Sequence, residues 1–106
     1  MRQSKRKALE AKGWQFGSAD DFLGLSEEEL ALIDLKIALG NALKQRRQKK
    51  RLTQKAAARA IASSQSRVAK MEAGDPSVSI DLLVKSMITL GASRKDVAKA
   101  IASKAA

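Results

Sequence analysis

Apolar residues recur at helical spacing in five separate stretches of the chain, and a serine or threonine stands at the head of each. Leu30, Ile33, Ile37 and, after a shift of face, Leu43 mark the inward side of a long helix. Ser26-Glu27-Glu28-Glu29 opens it as a capping box, in which Ser26 and Glu29 each satisfy the other's backbone N–H, and the helix runs to about Lys49. Gly40 weakens its interior by about 1 kcal/mol relative to alanine and allows a close crossing or a bend. Thr53 caps a short helix near 53–61, packed by alanines and Ile61. Ser64 caps another near 65–73, whose Val68 and Met71, three apart, point inward. Gly74 is a natural left-handed stop, and Pro76 prevents continuation. Ser79 opens a fourth helix with Ile80, Leu83, Met87 and Leu90 on one stripe, ended by Gly91. Ser93-Arg94-Lys95-Asp96 is a second capping box, heading a last helix that bears Val97 and Ile101. No stretch carries a strand signal and no segment repeats, so the expected fold class is all-α with five helices.

Composition narrows the classes open to such a chain. At 106 residues it is one domain with one modest core, and alanine supplies much of its 44% hydrophobic content. The expected division is an arm over residues 1–25, partly ordered, and a folded domain over 26–106; all the aromatics, Trp14, Phe16 and Phe22, fall in the arm. No run of about 18 apolar residues exists to span a membrane, and no apolar region follows the basic N-terminus to make a secretory signal. With no cysteine the chain fits a reducing cytoplasm. With neither cysteine nor histidine it offers no Cys/His zinc site and no Ser-His or Cys-His nucleophile. It has no phosphate-loop motif either, so neither catalysis nor a cofactor is expected.

Net charge is +10, which implies a polyanionic partner, most often nucleic acid. From Lys44 to Arg59 there are eight cations and no acid; from Asp20 to Asp34 there are six acids and no base. Taken alone, either run is a solvated helix end. Placed directly before two short capped helices, the basic run reads as a phosphate-binding surface, with Lys49, Lys50, Arg51 and Lys55 as its exposed members. Thr53, Gln54 and Ser64 stand at helix starts, where backbone N–H groups and the helix dipole attract phosphate. Gln65, Ser66, Arg67 and Lys70 fall on the outward face of the second short helix. Glutamine can bond N6 and N7 of adenine together, and arginine or lysine can reach guanine, so these four are the candidate base readers. Two short helices so arranged are the layout of a helix-turn-helix.

Over residues 36 to 92 the chain resembles the Cro/repressor-type, or XRE-type, helix-turn-helix family. Leu52-Thr53-Gln54, Ala58, Ser64-Gln65-Ser66 and Glu72-Ala73-Gly74 carry the resemblance, together with the eleven-residue spacing from Gln54 to Gln65. It implies a five-helix lambda-repressor-like DNA-binding domain. In that family the first glutamine often braces the second and a nearby phosphate. An arginine seven residues before it, here Arg47, pairs with the glutamate, here Glu72, and is oriented toward the DNA backbone. The chain departs at Ala62, where glycine is usual in the turn, at Ser63, where an apolar residue is usual, at Ala57 in place of leucine, and at Ala73 in place of a frequent polar phosphate contact. Alanine at positive φ costs roughly 1 kcal/mol.

Three functions compete. The first is a sequence-specific regulator of transcription, expected to repress, that binds double-stranded DNA as a homodimer on a palindromic site. The last helix (Val97, Ile101) and the N-terminal arm are its two candidate dimer surfaces. The second follows a resemblance to antitoxins of the HigA type, which bind a ribonuclease toxin and repress their own operon; the aromatic arm and the acidic start of the first helix would cover a basic toxin. The third is a non-specific nucleoid or RNA-binding module, resting on charge alone.

Overall fold

The computed structural model describes residues 24–103. Residues 1–23 of the expected arm, with the roles given to Trp14, Phe16 and Phe22, lie outside that range. Five helices follow one another: α1 (Glu27–Lys49), α2 (Gln54–Ala60), α3 (Gln65–Ala73), α4 (Ile80–Thr89) and α5 (Arg94–Ala102). No strand occurs among the described residues.

Each helix is started by the hydroxyl residue expected to cap it. The side chains of Ser26, Thr53, Ser64, Ser79 and Ser93 accept the backbone N–H three residues on, at 3.1, 3.0, 3.2, 3.1 and 3.0 Å. Each such bond stabilises a helix start by about 1 kcal/mol, which matters most for elements of seven to ten residues. The capping box of α5 is complete, since the Ser93 N–H also donates to Asp96 Oδ2 at 2.9 Å. At α1 only half of the expected box forms: Ser26 accepts from Glu29, and the Glu29 carboxylate stays in solvent.

α1 is the hub against which α3, α4 and α5 pack, while α2 packs on α3. Leu39, Leu43, Met71, Leu83 and Met87 form the centre of the core, with Val78, Leu90, Val97 and Ala100 around them. Gly40 proves to be a crossing rather than a bend. A Cβ there would strike the carbonyl oxygen of Met71 and crowd the carbonyl of Glu72, so α1 and the end of α3 touch backbone to backbone. Gly74 then closes α3 at φ 68° while pressed against Ile37, a position that excludes any side chain twice over.

On α5, Val97 and Ala100 are buried and Ile101 is 45% exposed. Ile33 and Ile61 are half-buried rather than central. The turn between α2 and α3 carries the strain its sequence implied. Ala62 sits at φ 55°, and the Ser63 N–H reaches back to the carbonyl of Ala58 at 2.8 Å. The Ser63 hydroxyl oxygen is buried there without a hydrogen-bond partner. Arg51 is a second left-handed residue, φ 56°, in the turn between α1 and α2.

Candidate nucleic-acid interface

The helix-turn-helix is held to α1 by a buried polar cluster. Arg47 Nε donates to Glu72 Oε2, Nη2 donates to Glu72 Oε1 at 3.1 Å, and Nη1 donates to the Leu52 carbonyl at 2.8 Å. Gln54 Nε2 adds a bond to the same Oε1 at 3.1 Å. Side-chain exposure is 12% for Arg47 and 4% for Glu72. The hydrogen bond that Arg47 donates to Glu72, against the cost of burial, raises the Arg47 pKa above its already high value. This cluster ties the C-terminal turn of α1, the first residue of α2 and the last turn of α3 to one carboxylate.

Arg47 donates one N–H from each of its three nitrogens to a protein acceptor, which commits three of its five N–H groups. The Gln54 amide meets Glu72 and not Gln65, so the brace implied by the family resemblance takes a different partner here. Gln54 was singled out by spacing, which gives separation along the chain and not the claim that a buried carboxylate makes on nearby donors.

The outer surface of the motif is polar and cationic. Val68 and Met71 are buried, which leaves Gln65, Ser66, Arg67 and Lys70 exposed on the other side of α3. Gln65 opens the helix, and Ser64 Oγ, which accepts the Arg67 N–H, also lies 3.2 Å from Ser66 Oγ. Thr53, Lys49, Lys50, Arg51 and Lys55 are exposed at the neighbouring end of α1 and start of α2. The left-handed turn at Arg51 is what ends the long helix and lets α2 begin.

The loop after α3 adds residues that sequence reasoning passed over. Asp75 Oδ1 accepts both the backbone N–H of Ser77 at 2.8 Å and its hydroxyl at 2.6 Å. Those bonds, the hydroxyl's foremost, hold the Asp75 carboxyl below its usual pKa. Lys36 on α1 donates to the Pro76 carbonyl at 2.9 Å, so the loop is braced from both sides. Ser77 thereby lines, with Ser64, Ser66, Arg67 and Lys70, an open cleft of about 360 Å³ beside α3. The signal was present as Asp75-Pro76-Ser77, an Asx-turn sequence, read there only as a helix stop.

A short capped helix with its polar face outward, set across a strained turn from a second and flanked by cations, defines a small all-helical DNA-binding domain. The comparison with known families agrees: the helix-turn-helix domain family matches residues 38–100, more than half of the chain. The protein belongs to that family, and DNA is its partner. No curated protein and no solved structure matches it. Among the described residues no helix is long and apolar enough to cross a membrane.

Proposed function

We propose that the protein is a sequence-specific regulator of transcription that reads double-stranded DNA with α3 and binds as a homodimer. The observation that carries this reading is the face of α3: Gln65, Ser66, Arg67 and Lys70 are exposed together while Val68 and Met71 fix the helix from behind. A first turn of that composition fits base edges in a major groove, and the cations of residues 49–55 fit the phosphates on either side. One such helix reads only a few base pairs, so useful discrimination requires two copies on half-sites about one helical turn apart. Occupying a promoter is enough to block it, which makes repression the simplest output of a domain this small. Selection of bound duplexes from a random pool, followed by footprinting, tests the reading. A palindromic consensus is expected, with binding that weakens steeply with salt, by a slope of about −0.9 for each phosphate neutralised. Equal affinity for selected and random duplexes would overturn it in favour of charge-driven, non-specific binding.

A second reading draws support from Glu27, Glu28 and Glu29, exposed together in the first turn of α1. Three acids on a cationic protein suit a basic protein partner, as in an antitoxin that masks a ribonuclease toxin and represses its own operon. Co-expression with the product of the adjoining reading frame tests this, and failure of the two to co-purify removes it.

A further inference from the structure

α1 is charged in opposite senses at its two ends. Glu27, Glu28, Glu29 and Asp34 stand in its first half beside one cation, Lys36, which is bonded to the Pro76 carbonyl, and Lys44, Arg46, Arg47 and Lys49 stand in its second. The second half forms one wall of a groove of about 950 Å³, whose other wall is α5. Ala38, Ala42, Met87 and Ala100 give this groove its apolar part, polar side chains such as Gln45 make up the rest, and Lys49 and Lys99 stand along it. Arg46 crosses to Asp96 at 2.9 Å and so neutralises the lone acid of the lining. What remains is an open slot with cationic margins.

The first half of α1 has the opposite character. Glu28, Ala31, Leu32 and Leu35 fall within about 100° of one another around the helix, so they share a face. The first three are exposed, Leu32 at 44%, and Leu35 is half-buried. This is an apolar stripe edged by carboxylates, with no partner among the described residues.

We infer that the groove between α1 and α5 receives the acidic first half of α1 from a second copy of the chain. Leu32 and Leu35 of the incoming helix would pack on the apolar part of the slot, and its glutamates would meet Lys99. The lengths agree: Glu27 to Leu35 spans about 12 Å of helix, and Ala38 to Lys49 about 17 Å. Donor face and receiving groove lie on the same helix, so an antiparallel pair of α1 helices satisfies both at once. One two-fold axis therefore closes the assembly and leaves no complementary surface open for a third copy. The interface rests on the dimeric DNA-binding reading for its purpose, and it uses none of the residues placed on the reading face of α3.

Sedimentation velocity on the full chain, without DNA, tests it. A monomer–dimer equilibrium is expected. Glu28→Lys and Lys99→Glu should each weaken it by about tenfold, since every change acts twice across a two-fold interface. The two changes in one chain should restore it to near the starting value, and circular dichroism should show all three variants equally helical. A chain that stays monomeric, a dimer indifferent to both changes, or a double variant weaker than either single one overturns the inference, as does capture of the groove by an acidic helix from another protein in preference to a second copy. The two readings fail separately. A dimer that binds a selected duplex but ignores the charge changes sinks this interface and spares DNA recognition. A dimer that follows the charge changes but selects no duplex spares the interface and sinks DNA recognition.

Discussion

Replacing Glu72 by alanine is the most demanding test of how the reading helix is held. The carboxylate is 4% exposed and takes two donors from Arg47 and one from Gln54. Removing it strands a guanidinium that is itself 12% exposed, beneath an α2 too short to fold over the gap. Breaking one side of a buried ion pair costs about 3–5 kcal/mol, because the charge left behind keeps its desolvation and loses its partner. A domain of this size has a total stability of about 5–15 kcal/mol, so the loss is a large fraction of what is available. At about 4–8 °C of melting temperature per kcal/mol for a small domain, the lower figure alone predicts a fall of more than about 10 °C. Replacing both partners at once, as Arg47→Met with Glu72→Leu, removes the stranded charge, so the double variant should be more stable than Glu72→Ala. Urea and thermal unfolding followed by circular dichroism measure both. A loss below about 1 kcal/mol for Glu72→Ala would put the pair in the class of solvated surface bridges and refute the argument.

The turn between α2 and α3 should respond in the other direction. Ala62→Gly relieves a left-handed alanine and should stabilise by about 0.5–1 kcal/mol after the added chain entropy is subtracted, and Ser63→Ala should stabilise further by removing a buried hydroxyl with no partner; both are read from the urea midpoint. Gln65→Ala should flatten sequence preference at one base pair, by about 1–3 kcal/mol, whereas Lys55→Ala should weaken all duplexes alike and lower the salt slope by about one, as competition gel shifts over a salt series will show. Asp75 has a depressed folded pKa, so its contribution is complete above the unfolded carboxylate value of about 4 and is lost as pH falls through the folded one. Asp75→Asn should therefore flatten the acid limb of the stability–pH curve below about pH 4 while changing its slope little near neutrality, and an unaltered acid limb would show that the Ser77 bonds do not persist in solution.

The helices were legible because their signals are local. A serine or threonine ahead of an apolar period sets where each begins, and all five caps are made by the residue the pattern pointed to. The left-handed residue at Ala62 was legible through comparison with a family that places glycine there. The one at Arg51 was not, since a cation within a run of cations carries no turn signal. Ile101 illustrates the limit of periodicity: four residues from Val97 it shares a helical face, but a face is buried only where a neighbour extends far enough to cover it. The Arg47–Glu72 pair was legible through the family resemblance, whereas the bond from Gln54 to the same carboxylate was not. Both bonds are set by Glu72, 25 and 18 residues away, and local sequence does not reveal which of several nearby donors a buried carboxylate will claim.

That carboxylate also explains how so small a core can hold a reading helix in register. α2 buries only Ala57 and Ala58, side chains that give little dispersion energy and almost no directional preference. Its N-terminus is fixed instead by Gln54, whose amide reaches Glu72 near the C-terminal end of α3, while Arg47 brings the end of α1 to the same point. The three elements whose exposed groups are proposed to face DNA are thus tied through one buried residue. Strain and an unpartnered hydroxyl in the intervening turn would let α2 and α3 shift against each other if apolar packing alone opposed it. A leucine at position 57 would tighten that packing, but it would not specify an angle as a forked, three-donor contact does. Placement of the exposed side chains of α3 is therefore set mainly by hydrogen-bond geometry behind them, and only secondarily by the hydrophobic core.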